Sequence, residues 1–271
     1  MIKNITIGQY IPGDSFIHKL DPRTKILISL FFIINLFFVR NFTGYLVVFL
    51  FIILMVKVAK LSPRYLYKGI RPVFVLILFT AFLNLFVTRG TSDTLLLELG
   101  FLRVYEEGVY TALFMTFRLI FLIMGTSILT LTTSPIELTD GIESLLKPFK
   151  RIGVPAHELA MMMSIALRFI PTLMDETDKI MKAQMARGAD FDSKNLIKKA
   201  QSLIPLLVPL FISSFRRAEE LAMAMEARSY RGGEGRTRMK QLKYTANDMK
   251  AFLLFAGMAG LVFALSFTTV I

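Results

Sequence analysis

Residues 44–59 read GYLVVFLFIILMVKVA, with Lys57 as the one charged side chain. The run lacks the two-residue alternation of a half-buried strand and the one-sided stripe of a surface helix. A segment apolar all round needs an apolar solvent, which points to a helix in a bilayer, with Lys57 able to snorkel toward the interface. Working outward, four more apolar runs follow at 25–39, 73–88, 108–133 and 251–271, the run at 73–88 launched by Pro72. A bilayer crossing takes about 20 residues, so the shorter runs must extend into their flanks. The expected fold is an all-α integral membrane protein with about five transmembrane helices.

Composition agrees. Of 271 residues 54% are hydrophobic, more than a soluble core of this size can use. The net charge of +12 fits Lys and Arg gathered in cytoplasmic loops better than nucleic-acid binding. The chain has no cysteine, and its two histidines, His18 and His157, are far apart, so a thiolate nucleophile is excluded and no metal site is expected. His18 reads as a helix-start or interface residue. Residues 1–25 are polar and turn-rich, so no cleavable signal peptide is read.

Charge orients the spans. Lys60, Arg64, Lys68 and Arg71 stand between spans 2 and 3 with no acid among them. Between spans 3 and 4, Arg89 and Arg103 face Asp93, Glu98, Glu106 and Glu107. The first loop is expected on the cytoplasmic side with the N-terminus, the second outside, and five spans leave the C-terminus outside.

The chain thus divides into residues 1–133, with spans 1 to 4, a cytoplasmic helical domain at 134–250, and the last span at 251–271. The middle part holds 19 Lys/Arg and 14 Asp/Glu. Ser134-Pro135-Ile136-Glu137 has the form of a capping box with proline at the first helical position. Pro155 opens a second helix, striped by Leu159, Met163, Ala166, Ile170 and Leu173 and closed at Gly188. A third, after an Asp192-Ser193 cap, runs to about Arg228, with Pro205 and Pro209 as expected kinks. Its stripe takes in Leu203, Leu207, Leu210, Ala218 and Met225. Its run 203–215 is too short to span and is expected to be buried against other helices or the membrane face.

Each long helix ends in a small residue, an arginine and another small residue: Ala186-Arg187-Gly188 and Ala227-Arg228-Ser229. An arginine at a helix C-terminus can simply complement the macrodipole. Two copies on one side of a membrane suggest instead two tips that approach a partner closely, each guanidinium pairing with a carboxylate. With residues 8–15 (GQYIPGDS) and His18-Lys19-Leu20-Asp21-Pro22-Arg23-Thr24-Lys25, these motifs resemble the transmembrane coupling subunit, the T component, of energy-coupling factor (ECF) type ABC transporters. The layout of spans around a helical insert is similar across nearly the whole chain.

The resemblance implies that Arg187 and Arg228, flanked by Ala186, Gly188, Ala227 and Ser229, dock into two ABC ATPase subunits. It implies a non-catalytic subunit of a bacterial or archaeal cell membrane that binds a substrate-binding membrane protein (S component), one or several interchangeable ones, for uptake of vitamins or other micronutrients. The third position of the second motif, Ser229, departs from the glycine also common there. No phosphate-binding loop ending Gly-Lys-Ser/Thr occurs, so ATP hydrolysis belongs to partners. Gly232-Gly233-Glu234-Gly235-Arg236 reads as a solvated linker rather than an RNA-binding segment.

Ten of the 15 methionines fall between Ser134 and Lys250. Met161, Met162, Met163, Met181, Met185, Met223 and Met225 either fill a core or form an adaptable surface for the substrate-binding subunit. Arg118, inside span 4, marks a functional site or a structural contact to helix carbonyls or Asn84. The competing readings are a pore-forming permease of a conventional ABC importer and a membrane scaffold or enzyme unrelated to ATP.

Overall fold

The computed structural model describes residues 10–88, 95–99, 102–189, 191, 195–232 and 241–268. Arg89, Asp93, the Asp192-Ser193 cap, residues 1–9 and residues 233–240 of the linker lie outside them. The helices are α1 (Pro22–Phe38), α2 (Phe42–Ala59), α3 (Pro63–Ile70), α4 (Phe74–Val87), α5 (Glu106–Thr132), α6 (Pro135–Leu146), α7 (Ala156–Ala186), α8 (Leu196–Ala227) and α9 (Ala246–Thr268).

One short element departs from the all-helical expectation. Strands β1 (Leu95–Leu99) and β2 (Leu102–Tyr105) pair antiparallel between α4 and α5, with Glu98 opposite Arg103 and Leu99 opposite Leu102. Two residues separate Leu99 from Leu102 in the sequence, the spacing of a tight hairpin.

Among the described residues, four helical stretches are long and apolar enough to cross a membrane: Phe42–Ala59, Pro63–Val87, Glu106–Thr132 and Ala246–Phe267. The second joins α3 to α4 through a single tight turn at Arg71–Val73. The first helix, α1, has 17 residues and stands at the short end of spanning length.

The chain forms two compact units, one of residues 8–141 with 242–271 and one of residues 142–241. In the first, Phe32 and Leu36 of α1, Val48 and Ile52 of α2, Phe121 of α5 and Val262 of α9 make one buried core. Helix α5 is its axis, packing on α1, α2, α3 and α4. Glycine allows this closeness. A Cβ on Gly125 would lie 2.3 Å from Phe32 Cε1, and one on Gly108 would lie 2.8 Å from the Leu85 carbonyl oxygen.

Polar residues fasten the helix ends. Asp21 caps α1 by accepting from the Arg23 amide at 2.9 Å, with Pro22 at the first helical position. The Arg23 guanidinium forks onto the same carboxylate and lies 4.0 Å over the Tyr244 ring. Asp248, buried at the start of α9, accepts from the Asp21 amide at 2.8 Å and from the Thr245 amide and hydroxyl at 2.7 Å each. The ring of His18 takes the Ser15 hydroxyl at 2.6 Å on Nδ1 and donates from Nε2 to the Ile11 carbonyl at 3.0 Å. The motif at 18–25 is thus a fastening that joins the starts of α1 and α9. Ser134 and Glu137 form the expected capping box, each amide facing the other's side-chain oxygen at 3.4 and 3.3 Å.

Among the described residues Arg118 meets neither a carboxylate nor Asn84, whose amide bonds Thr80 of its own helix. Its guanidinium reaches the carbonyl of Val39, the C-cap of α1, at 3.5 Å and lies over the rings of Phe37 and Phe114. Helix ends leave carbonyls without partners, and Arg118 serves one of them.

Candidate coupling interface at two helix tips

The second unit is built on α7, 31 residues, and α8, 32 residues. Three cross-contacts set their direction. Gln184 donates to the Pro205 carbonyl, Glu176 pairs with Arg217, and the Tyr230 hydroxyl donates to Met161 Sδ at 3.0 Å. As the α7 number falls the α8 number rises, so the two helices run antiparallel. Their C-terminal tips therefore lie at opposite ends of the pair, separated by about 25 residues or roughly 35 Å of helix. Pro171, Pro205 and Pro209 are all accommodated inside continuous helices.

Both tips have the same backbone. After α7 the amide of Gly188 bonds the Met185 carbonyl and that of Ala189 bonds the Gln184 carbonyl, each at 3.0 Å. After α8 the amide of Ser229 bonds Glu226 at 2.8 Å and that of Tyr230 bonds Met225 at 3.0 Å. Each set is a complete Schellman closure with the arginine at the C-cap. Such a closure needs a left-handed residue next, supplied by Gly188 at φ +90° and Ser229 at φ +54°. This explains the repeated motif. The alanine ends the helix with little bulk, the arginine is the cap, and the third residue must tolerate positive φ. Arg187 and Arg228 are both exposed.

The surroundings of the tips differ. Arg228 lines a groove of about 770 Å³ with Arg168 and Arg231, and among the described residues no carboxylate lines it. Behind the tip, Tyr230 lies 3.5 Å from His157 Nε2, and His157 Nδ1 lies 3.1 Å from Glu143. This relay holds the end of α8 to α6 and the start of α7. Met161 and Met225 line the same groove. The other named methionines are not gathered there, and Met162, Met163, Met185 and Met223 are exposed.

Within the run 203–215 Leu206 is buried in the chain, whereas Ile204, Leu207, Val208, Phe211, Ile212 and Phe215 are exposed, Phe211 by 66%, which leaves them open to the membrane face or to other helices. Their spacing puts them on one side of α8. The stripe of α7 is likewise open at Leu159 and Met163. Among the described residues of this unit only Ala156, Ala160 and Leu206 are buried. A helix pair that hides so little apolar surface in itself offers it to lipid or to other proteins. Among the described residues no three His, Cys, Asp or Glu side chains gather to hold a metal ion.

Comparison with known proteins agrees with this layout. The family described as Cobalt transport protein (CbiQ) matches residues 13–239. The energy-coupling factor transporter transmembrane protein EcfT of Clostridium kluyveri is 67% identical over 253 residues, 93% of each chain. The proteins of the same name from Thermosediminibacter oceani and Bacillus subtilis are 62% and 47% identical, over 93% and 98% of this chain and 94% and 99% of their own. Similarity of this extent takes in the helix-end fastening, the spans and both arginine tips, and the chain belongs to the family of transmembrane (T) components of energy-coupling factor transporters.

Proposed function

We propose that this chain couples two cytoplasmic ATP-binding-cassette ATPases to a substrate-binding membrane protein, the S component, and performs no catalysis itself. The observation that carries the reading is the pair of Schellman-closed tips, each with an exposed arginine at the cap, at opposite ends of one antiparallel helix pair. One arginine enters each ATPase and pairs with a carboxylate there. When ATP brings the ATPases together or hydrolysis lets them part, the tips move with them and α7 and α8 turn as levers. Substrate-binding protein held on the exposed stripe of α8 and the surrounding methionines is then reoriented, and its cargo, a vitamin or other micronutrient, is released inside. The acid-free basic stretch from Lys60 to Arg71, most of it in α3, supports a cytoplasmic N-terminus, and crossing by α1 as well as the four longer spans places the C-terminus outside.

Co-purification tests this. Wild-type chain co-expressed with two ATPases and a substrate-binding protein should retain both ATPases in mild detergent. Arg187→Glu with Arg228→Glu should lose them, since a reversed charge at a buried ion pair costs roughly 2–5 kcal/mol at each tip. If the double variant keeps both ATPases and supports ATP-driven uptake, the docking assignment is wrong.

A further inference from the structure

A cavity of about 380 Å³ opens between α1, α2, α5 and α9 in the membrane unit. Its deep wall is apolar, formed by Phe32, Phe51, Ile52 and Ile128, and its mouth is flanked by Phe16 and Leu254, exposed by 36% and 43%. Protein interiors are close-packed, so an apolar space of this size beside lipid calls for an apolar occupant.

Two lysines stand at one end of it. Lys25 is in the first turn of α1 and Lys250 is the fifth residue of α9, and among the described residues no carboxylate lines the cavity. The Lys25 ammonium, almost wholly buried, donates to the carbonyls of His18 at 3.2 Å and Thr132 at 3.0 Å. An ammonium has three N–H groups, and these two carbonyls are its hydrogen-bond partners among the described residues. From Lys25 to Phe32 the cavity follows α1 for seven residues, about 10 Å toward the middle of the helix. An apolar slot of that depth under two ammonium groups matches an acyl chain carrying an anionic head.

We propose that this cavity is a binding site for an anionic phospholipid, one acyl chain lying against Phe32 and Phe51 and the phosphate resting by Lys25 and Lys250. The bound lipid fills the gap where α1, α2, α5 and α9 meet and ties their lysine-bearing ends to one leaflet.

The chain contains no tryptophan, so a single introduced one reports on its own surroundings. The full-length protein carrying Leu254→Trp is reconstituted in bilayers doped with phosphatidylglycerol or phosphatidylcholine whose chains are brominated, and quenching is compared. Phosphatidylglycerol should win by about five-fold in relative affinity at Leu254→Trp. At Leu253→Trp, the adjacent residue on another side of α9 and 67% exposed, the two lipids should quench alike. Adding Lys250→Gln to Leu254→Trp should bring its ratio down to that of the control position. Phe16→Trp, across the mouth, gives the same reading should the indole at 254 itself plug the slot. Equal ratios at cavity and control positions, or a ratio untouched by Lys250→Gln, would overturn the proposal. So would strong quenching at both cavity positions with no preference between the two lipids.

Discussion

The side-chain amide of Gln184 donates to the carbonyl oxygen of Pro205 at 3.5 Å, and that carbonyl is open because the residue four positions on is Pro209. Proline has no N–H, so the helical bond that would close on Pro205 does not exist. The paired prolines of α8 thus create an acceptor, and α7 uses it near the end that carries Arg187.

The contact is long and exposed, so its net worth is small, about 0.5–1 kcal/mol. Gln184→Ala should loosen the last turns of α7 by that amount, raising amide exchange there about three- to five-fold. In a Pro209→Ala background, where the helix bond is restored, the same change should have no effect. Equal effects in both backgrounds would mean that Gln184 acts through something other than the Pro205 carbonyl.

The two closures differ at one residue. Serine in the left-handed region costs roughly 1 kcal/mol relative to glycine. Ser229→Gly should therefore slow exchange of the Tyr230 amide about three- to five-fold while leaving Ala189 unchanged. Gly188→Val, a branched side chain at φ +90°, should open the α7 tip and weaken ATPase retention even though Arg187 is intact. Full retention by Gly188→Val would show that the arginine docks without the closure.

Much of this was legible in the sequence. The apolar runs gave the spans, Ser134 and Glu137 gave a capping box, and Gly188 gave a helix end, because each is a local signal fixed by neighbours within four residues. The positive φ of Ser229 was not legible, since serine takes that conformation only when the following amide bonds make it worthwhile. Nor was the open face of α8. The run 203–215 reads as a segment buried against other helices or the membrane face, because a sequence pattern marks which residues avoid water, not which molecule covers them. The role of the 18–25 motif was hidden for a related reason: Asp21 is completed by Asp248 of α9, over two hundred residues away.

Arg118 reached its partner by distance too, and its role can be tested against the functional alternative. If it serves the end of α1, Arg118→Leu should lower stability in detergent by roughly 1–3 kcal/mol through the abandoned Val39 carbonyl and the lost ring contacts. Arg118→Lys, which keeps the charge but not the planar fork, should recover only part of it. Uptake per folded molecule should not change in either variant. A normal melting curve with uptake abolished would move Arg118 from the fold to the transport step.

The close passage of α5 past α1 makes the last prediction. A Cβ at Gly125 would overlap Phe32, with Cε1 at 2.3 Å and Cδ1 at 2.7 Å. Neither atom is the far end of a flexible chain, and the ring is 4% exposed in the central core, so it has little room to withdraw. Gly125→Ala should then separate the two helices and cost about 1–3 kcal/mol, although alanine favours an isolated helix by about 1 kcal/mol. Thermal melting of the purified protein decides which effect wins. Phe32→Leu supplies the missing space, so Gly125→Ala should be markedly less harmful in that background than alone. If alanine at 125 stabilises the wild-type protein, helix propensity outweighs the overlap and the approach of α1 to α5 is not limited by this glycine.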